Sequence, residues 1–244
     1  MSAGTKPPGA AGEDEAARWV RRMFASVAHR YDLLNHLLSF NVDRSWRRRT
    51  VERVAPVLST PSARVLDLCC GTGDLVLALE TRRGGAVWGC DFCRPMLGIA
   101  RRKIADGGKR SSLIEADALR LPVPGGSLDL ITVAVGFRNL ASYRAGLEEM
   151  ARVLRPGGVA AILEFSRPPS RLFARLYDFY SRRLLPAIGG ALSGSREAYT
   201  YLPESVRRFP DAEALAADMR AAGFREVNFE RMTAGIVALH LGRR

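Results

Sequence analysis

The spacing of apolar and polar residues along the chain changes several times, and each change marks an element. From Glu15 to Leu38, Trp19, Val20, Met23, Phe24, Val27, Tyr31 and Leu34 recur at helical intervals, which predicts one or two helices. Ser39-Phe-Asn-Val-Asp43 breaks the pattern, and Asp43 is placed to cap a further helix over Arg44–Val57, ending near Pro61. The period then shortens. Val65 to Leu68 has the length and branching of a buried parallel strand. It runs through a loop containing Gly71 and Gly73 into a helical stretch whose first turn holds Asp74, where a carboxylate suits the positive end of the helix dipole. Ala86–Asp91 and Ser112–Asp117 read as second and third strands, each ending in an acid, and Leu128–Val135 as a fourth, buried on both faces. Leu147–Leu154 reads as a helix stopped by Arg155-Pro-Gly-Gly158, followed by a fifth strand, Val159–Glu164. From Pro168 to Arg208 the alternation lapses over about forty residues, a length associated with lids and binding segments. Pro210–Ala222 reads as a helix with Asp211 near its start and Gly223 at its end. Phe224–Phe229 and Gly235–Leu241 close the chain as strands joined by so short a turn that they must pair antiparallel.

Strand–helix alternation of this kind predicts an α/β fold with a mostly parallel sheet. Ligands of such sheets bind beyond the carboxyl ends of the strands. The loop after the first strand is therefore the floor of a pocket, with small residues that admit a ligand to the main chain. Asp91 lies about twenty residues past Gly71, the spacing of a carboxylate that accepts ribose hydroxyls. Its plainer reading is a helix cap, since Pro95 sits where a helix starts. Met96 on that first turn is placed to cover an aromatic base, and Asp117 and Ala118 to reach the base's edge if the third strand lies beside the second. Arg138 and Asn139, just past the fourth strand, are further site candidates.

With 244 residues, 47% of them hydrophobic, the chain has ample material for one large domain. No stretch is apolar for long enough to span a bilayer. Met1–Ala17 lacks a signal-peptide core and carries acids that argue against a transit peptide, so it reads as a disordered tail ahead of a domain spanning 18–244, in a cytoplasmic protein. Within that domain, 18–60 is a helical arm and 168–208 an insertion. The net charge of +12 has three readings: solvated arginine, an anionic membrane surface, or nucleic acid. The basic clusters are scattered, which weakens the last. Cys69, Cys70, Cys90 and Cys93 form an adjacent pair and a C-x-x-C, poor spacing for zinc, so no metal is expected and the thiols read as small apolar packing.

A dinucleotide fingerprint would place a third glycine at Val76, and it is absent. Asp67-Leu-Cys-Cys-Gly-Thr-Gly73 instead resembles motif I of the class I S-adenosylmethionine-dependent methyltransferases, with Cys69 at the usual first glycine. Val20–Asn35, Leu38-Ser-Phe40, Trp46-Arg47, Gly136-Phe-Arg-Asn139, Arg152–Gly158, Leu163-Glu-Phe-Ser166, Tyr199–Ser205 and Met232-Thr-Ala-Gly235 resemble the signatures of the menaquinone/ubiquinone biosynthesis C-methyltransferases, over nearly everything after residue 18. Asp43 departs from that pattern, which often has histidine there. The resemblance implies a Rossmann-like class I fold with a seven-stranded, mostly parallel sheet whose last strand is antiparallel, a helical N-terminal arm, and a helical insertion before the last two strands. It implies S-adenosylmethionine contacts at Asp67, Gly71, Thr72, Gly73, Asp91, Met96, Asp117, Ala118 and Ala134, with Tyr31 and Ser39 shielding the reacting methyl. The implied reaction is C-methylation of a reduced prenylated quinone, most directly demethylmenaquinol, with a ubiquinone-pathway benzoquinol as the alternative. Arg138 would stabilise the developing phenolate, Asp32, Asn35 or a bound water would take or relay the proton, and Asn139 would complete the catalytic set. Asn35, Phe137, Tyr177, Tyr199 and Tyr201 would hold the quinol. The Leu172–Tyr201 segment would offer the prenyl tail an exit and rest on the inner face of the membrane. A homodimer is compatible with this reading, and a nucleic-acid partner is not expected. The rivals are another small-molecule O- or N-methyltransferase, an RNA methyltransferase, and a non-catalytic scaffold on the same fold.

Overall fold

The computed structural model describes residues 4–170, 173, 175 and 196–244. Three helices precede the sheet: α1 (Glu13–Val27), α2 (Tyr31–Leu38) and α3 (Val42–Leu58). Strand β1 (Val65–Leu68) leads into α4 (Asp74–Arg83), β2 (Trp88–Asp91), α5 (Arg94–Asp106), β3 (Ser112–Glu115) and β4 (Leu128–Ala134). Then follow α6 (Tyr143–Val153), β5 (Leu154–Phe165), α7 (Arg196–Arg208), α8 (Ala212–Ala221), β6 (Arg225–Met232) and β7 (Val237–Arg243).

The seven strands form one sheet in the order β3-β2-β1-β4-β5-β7-β6. Only β7 runs antiparallel to its neighbours, as the closing hairpin required, with Phe229 opposite His240. Chain direction across the sheet reverses between β1 and β4, which pair directly. That junction is the topological switch point, and its carboxyl end is where a ligand is held.

Successive strand residues point to opposite faces, and each face has its own core. Leu66, Leu68, Ile131, Val133 and Ile162 pack with α6 and α8 through Leu147, Met150, Leu215 and Met219. Val65, Leu130, Ala161 and Leu163 pack on the other side with α3 and α4 through Val51, Val54, Leu75 and Leu79. Each of these side chains other than Ala161 contributes roughly 1.5–3 kcal/mol by leaving water. Burial on both faces is why β1 and β4 read as unbroken apolar runs rather than alternating ones.

Four boundaries differ from the sequence reading, each for a local reason. Helix α6 starts at Tyr143 rather than Leu147, because the Ser142 side chain accepts the Ala145 N–H and caps it. Arg155-Pro-Gly-Gly158 ends α6 but belongs to β5, where the pairing with β4 shifts register between Leu128 and Leu130. Asp43 does not cap α3. Asn41 holds that position in the left-handed region at φ 60°, and Asp43 lies inside the first turn with its carboxylate turned to other partners. The N-terminal stretch, expected to be loose through Ala17, is placed from residue 4. The Thr5 N–H donates to the Leu140 carbonyl at 2.8 Å, Thr5 is buried, and α1 begins at Glu13. By contrast α8 follows its reading closely, with the Asp211 carboxylate accepting the Ala214 N–H and Gly223 at φ 96° behind it.

His240 lies on β7 under α8, its Nε2 donating to the Ala212 carbonyl at 2.8 Å, and burial pushes its imidazole down to about 4. The unfolded chain therefore takes up a proton near pH ~6.5 that the folded chain refuses until about pH 4. The stability due to neutral His240 is complete above ~6.5 and is lost as pH falls toward 4, at about 1.4 kcal/mol per pH unit. Asp67 runs the other way: burial raises its carboxyl to about 7, so its stabilising protonation is complete below pH ~3.9 and gone above 7. Between pH 4 and 6.5 the two slopes oppose each other. Urea denaturation should show the Asp67→Asn variant losing stability, and the His240→Phe variant gaining it, as pH falls from 6.5 to 4.

Candidate active site

The cavity at the switch point is floored by the loop between β1 and α4. Three residues of this loop take the left-handed backbone: Cys69 at φ 53°, Gly71 at 53° and Gly73 at 86°. Cys69 thus keeps a glycine-like conformation without being glycine, a strain of about 1–2 kcal/mol. Its side chain is packed against Gly136, where an added Cβ would come within 2.5 Å of the Cys69 Cβ. Gly136→Ala should therefore destabilise the protein by about 1–3 kcal/mol. Adding Cys69→Gly should return most of that loss, a coupling that thermal denaturation of the four proteins measures.

The two acids of the floor differ in what they hold. Asp91, at the end of β2, accepts the Gly71 N–H at 2.9 Å and the Cys93 N–H at 2.8 Å, so one carboxylate ties together the loops after β1 and β2. It lines the cavity and is not the cap of α5, whose N-cap residue is Cys93. Asp67 stands beside Thr132 in the neighbouring strand and accepts its hydroxyl at 2.6 Å. Apolar surface lies beyond the acids. Met96, Ala118, Ala134 and Leu119 line the cavity, together with Asp117, which β3 brings there by pairing with β2. Met23, Phe24, Val27 and Leu202 line it too, packed with Phe92.

The helical arm closes over the floor. Tyr31, Asn35 and Ser39 are spaced four apart on and just past α2, and all three line the cavity. Burial raises the Tyr31 hydroxyl above its usual range, with the Arg138 charge opposing the rise. Ser39 donates to Asp43 at 2.8 Å, and Asp43 also holds His36 and Arg47. These donors keep the Asp43 carboxyl below its usual range despite burial.

Beyond β4, Val135 adopts φ 58°, an outlying conformation for a β-branched residue and one expected where structure is strained for function. Arg138 holds that turn. Its Nη1 donates to the Val135 carbonyl at 2.7 Å and to Glu164 Oε1 at 3.0 Å, and its backbone N–H donates to Glu164 Oε2 at 3.0 Å. Both members of the ion pair are nearly inaccessible, at 5% and 1% side-chain exposure, so the guanidinium charge facing the cavity is already balanced from behind. Asn139 Oδ1 accepts the Tyr201 hydroxyl at 3.1 Å, and that hydroxyl also pairs with Thr5 Oγ1 at 2.7 Å.

Most of the sequence candidates meet here: Tyr31, Asn35, Ser39, Asp67, Gly71, Thr72, Asp91, Met96, Asp117, Ala118, Ala134, Arg138, Asn139 and Tyr201 all line the cavity. Three do not. Asp32 is turned away, with one oxygen accepting the Thr72 hydroxyl at 2.5 Å and the other ion-paired to Lys103 at 2.5 Å, so it is not a free base. Phe137 is fully buried between Tyr143 and Phe209, because the short turn that sends Arg138 and Asn139 to the cavity sends Phe137 into the core. Gly73 serves packing: a Cβ there would sit 3.0 Å from the Ala100 Cβ, where α4 and α5 approach. Tyr177 lies outside the described residues, as do the Tyr199 side chain and most of the Leu172–Tyr201 segment. Sequence reasoning missed Glu164, Thr5 and the Asp43–Arg47 pair. Glu164 had a signal: it is the one acid closing an otherwise apolar fifth strand, and a buried charge needs a partner. Among the described residues no group of His, Cys, Asp or Glu is arranged to hold a metal ion, and all four cysteines are free.

The donor set fits one kind of ligand. Two buried carboxylates suit hydroxyls and a cationic centre and repel phosphate, and the Gly71 N–H that a dinucleotide would use is taken by Asp91. An added Cβ at Gly71 would meet nothing within 4 Å, so the cavity reaches the main chain there. Ribose, sulfonium and ammonium groups, with an aromatic base against Met96 and Ala118, match this floor.

Comparison with known proteins agrees. Residues 11–244 match the family model described as ubiE/COQ5 methyltransferase family. A demethylmenaquinone methyltransferase of Thermus thermophilus is 52% identical over 91% of this chain and 100% of the relative. One from Deinococcus radiodurans is 46% identical over 99% of both. Among solved structures, the [4+2]-cyclase SpnF superposes with a TM-score of 0.69 at 17% identity, covering 100% of this chain and 99% of that one. That likeness fixes the fold alone, and a cyclase on it shows why the family must come from sequence. This chain belongs to the ubiE/COQ5 methyltransferase family.

Proposed function

We propose that the protein transfers a methyl group from S-adenosylmethionine to a ring carbon of a reduced, prenylated quinone, and that the acceptor is demethylmenaquinol. The carrying observation is the 52% identity, over the whole length of the relative, to a protein named for that reaction. The cavity supports it. Asp91 and Asp67 would hold the cofactor's ribose and positive charges, Thr72 and Gly71 its floor, and Met96, Ala118 and Ala134 its base. Bound there, the cofactor supplies an electrophilic methyl on a sulfonium.

The protein's own part is to bind the ring, raise its nucleophilicity and exclude water. A phenol titrates near pH ~10, so the acceptor hydroxyl needs a positive field to lose its proton. Arg138 supplies that field from the cavity wall, moderated by Glu164. With Asp32 committed to Lys103 and Thr72, Tyr31, Asn35, Asn139 and Tyr201 are among the polar groups of the cavity wall that would contact the acceptor hydroxyl. The apolar wall of Met23, Phe24, Val27 and Leu202 suits the start of a prenyl tail. A lipid substrate supports a reaction at the inner face of the cell membrane; no helix among the described residues is long and apolar enough to cross one. Incubation with labelled S-adenosylmethionine and, in turn, reduced demethylated naphthoquinone and benzoquinone separates the acceptors. The reading expects label on the naphthoquinol in preference, and preferred labelling of the benzoquinol would overturn that assignment.

A further inference from the structure

Four pieces of chain that are far apart in sequence meet at the Tyr201 hydroxyl. Helix α7 packs beside the Phe137–Asn139 turn and sends two side chains, four apart, toward it: Tyr201 to Asn139, and Ser205 to Arg138 Nε at 3.4 Å. Trp19 of α1 packs on the Tyr201 ring, with centroids 4.9 Å apart. The fourth piece is the segment ahead of α1. Its Thr5 N–H donates to the Leu140 carbonyl at 2.8 Å, and its Lys6 carbonyl accepts from Arg208 at 2.7 Å, so it is tied to the turn and to α7 at once. Gly4 lies so close to the chain beyond that turn that an added Cβ would fall 1.7 Å from the Ala141 carbonyl oxygen. Thr5 and Pro7 are buried.

The hydrogens give this contact a direction. A tyrosine hydroxyl has one hydrogen, and Tyr201 gives it to Asn139 Oδ1 at 3.1 Å. In the 2.7 Å contact with Thr5 the donor is therefore the threonine. The chain runs from Thr5 to Tyr201 to Asn139 and ends on an amide whose oxygen is taken. What Asn139 has left for a cavity ligand is its NH2, a donor. A donor suits an acceptor oxygen that is losing its proton, whereas the amide oxygen, with the group turned over, would repel it. An amide is held one way round only when its partners tell its two ends apart. Thr5 does this by occupying the Tyr201 oxygen that would otherwise accept from the NH2.

We propose that Thr5 is a positioning residue of the active site: its hydroxyl, acting through Tyr201, holds the Asn139 amide with its NH2 toward the acceptor oxygen. The segment around Thr5, expected from the sequence to be a loose tail, is then part of the site. It precedes the residues matched to the family, 11–244, so the family assignment does not supply this role. For the identity of the acceptor the inference rests on the quinol reading, and for the rest on the hydrogen-bond chain alone.

Thr5→Val keeps the shape of the side chain and removes the donor. With reduced demethylated naphthoquinone its kcat should fall about tenfold, the worth of one hydrogen bond, while calorimetry shows wild-type affinity for S-adenosylmethionine. Thr5→Ser should restore turnover. Gly4→Ala, which lifts the segment off Ala141, should repeat the loss with the Thr5 hydroxyl still present. In a Tyr201→Phe background Thr5→Val should cost nothing further, because its effect passes through that hydroxyl. The contact can also be read with no acceptor present. In protein labelled with 13C at tyrosine Cζ, the Tyr201 resonance, assigned by Tyr201→Phe, should shift in Thr5→Val and return in Thr5→Ser. Failure of the quinol reading would leave that shift in place, so the two failures are distinguishable. An unmoved Tyr201 resonance, wild-type turnover by Thr5→Val, or an equal further loss in the Tyr201→Phe background would each overturn the inference.

Discussion

Alanine at Glu164 is expected to lower the stability of the fold by about 3–5 kcal/mol, because it leaves the Arg138 guanidinium buried without its counter-charge. In a domain of this size that is a fall in Tm of about 10 °C or more. Arg138→Ala should cost a similar amount for the mirror-image reason. It should also abolish turnover, which complicates any interpretation of the single variant. The double variant Arg138→Gln/Glu164→Gln separates the two effects. Neutral amides remove the unpaired charge and keep one acceptor oxygen for one of Glu164's two backbone partners, the N–H groups of Arg138 and Phe165. Its stability should return at least halfway to wild type while turnover stays lost. Recovery of turnover together with stability would mean that Arg138 only braces the Val135 turn. A Glu164→Ala protein as stable as wild type would mean that the guanidinium is not dependent on that carboxylate.

Asp91→Ala is expected to weaken S-adenosylmethionine binding roughly hundredfold, the combined worth of two charge-assisted hydrogen bonds to ribose. Calorimetry on the free enzyme measures it. The geometry makes the outcome informative, because the same carboxylate also accepts the Gly71 and Cys93 N–H groups. Asp91→Asn keeps one acceptor oxygen and turns an NH2 toward the other N–H, so it should fall between alanine and wild type. If Asp91→Ala bound the cofactor as wild type does, the residue would be a brace between two loops and nothing more.

The residues that made the site legible are those whose backbone demands are local. The loop Cys69–Gly73 could be placed because a buried strand, small residues and a following helix leave few geometries for it. Asp91 and Asp117 both reach the cavity because parallel strands end together at one edge of the sheet. What escaped depended on partners distant in sequence. Asp32 looked like a base until Lys103, on α5, was seen to hold it. Phe137 shared a motif with Arg138 and Asn139, but a turn of three residues aims its side chains in different directions. Glu164 and Arg138 are separated by 26 residues and meet only once β5 lies beside β4. The N-terminal stretch looked too polar and flexible to settle, yet Thr5 lies against the Leu140 carbonyl and the Tyr201 hydroxyl, neither of which is near it in the chain.

Methyl transfer to carbon is decided by where the label sits in the product. The purified enzyme would be given S-adenosylmethionine with a 13C-labelled methyl group and reduced demethylmenaquinone, and the extracted lipid examined by NMR. The expected product carries the labelled methyl on a ring carbon, with both quinol oxygens unsubstituted. A labelled methoxy resonance, or release of S-adenosylhomocysteine with no methylated lipid, would contradict it.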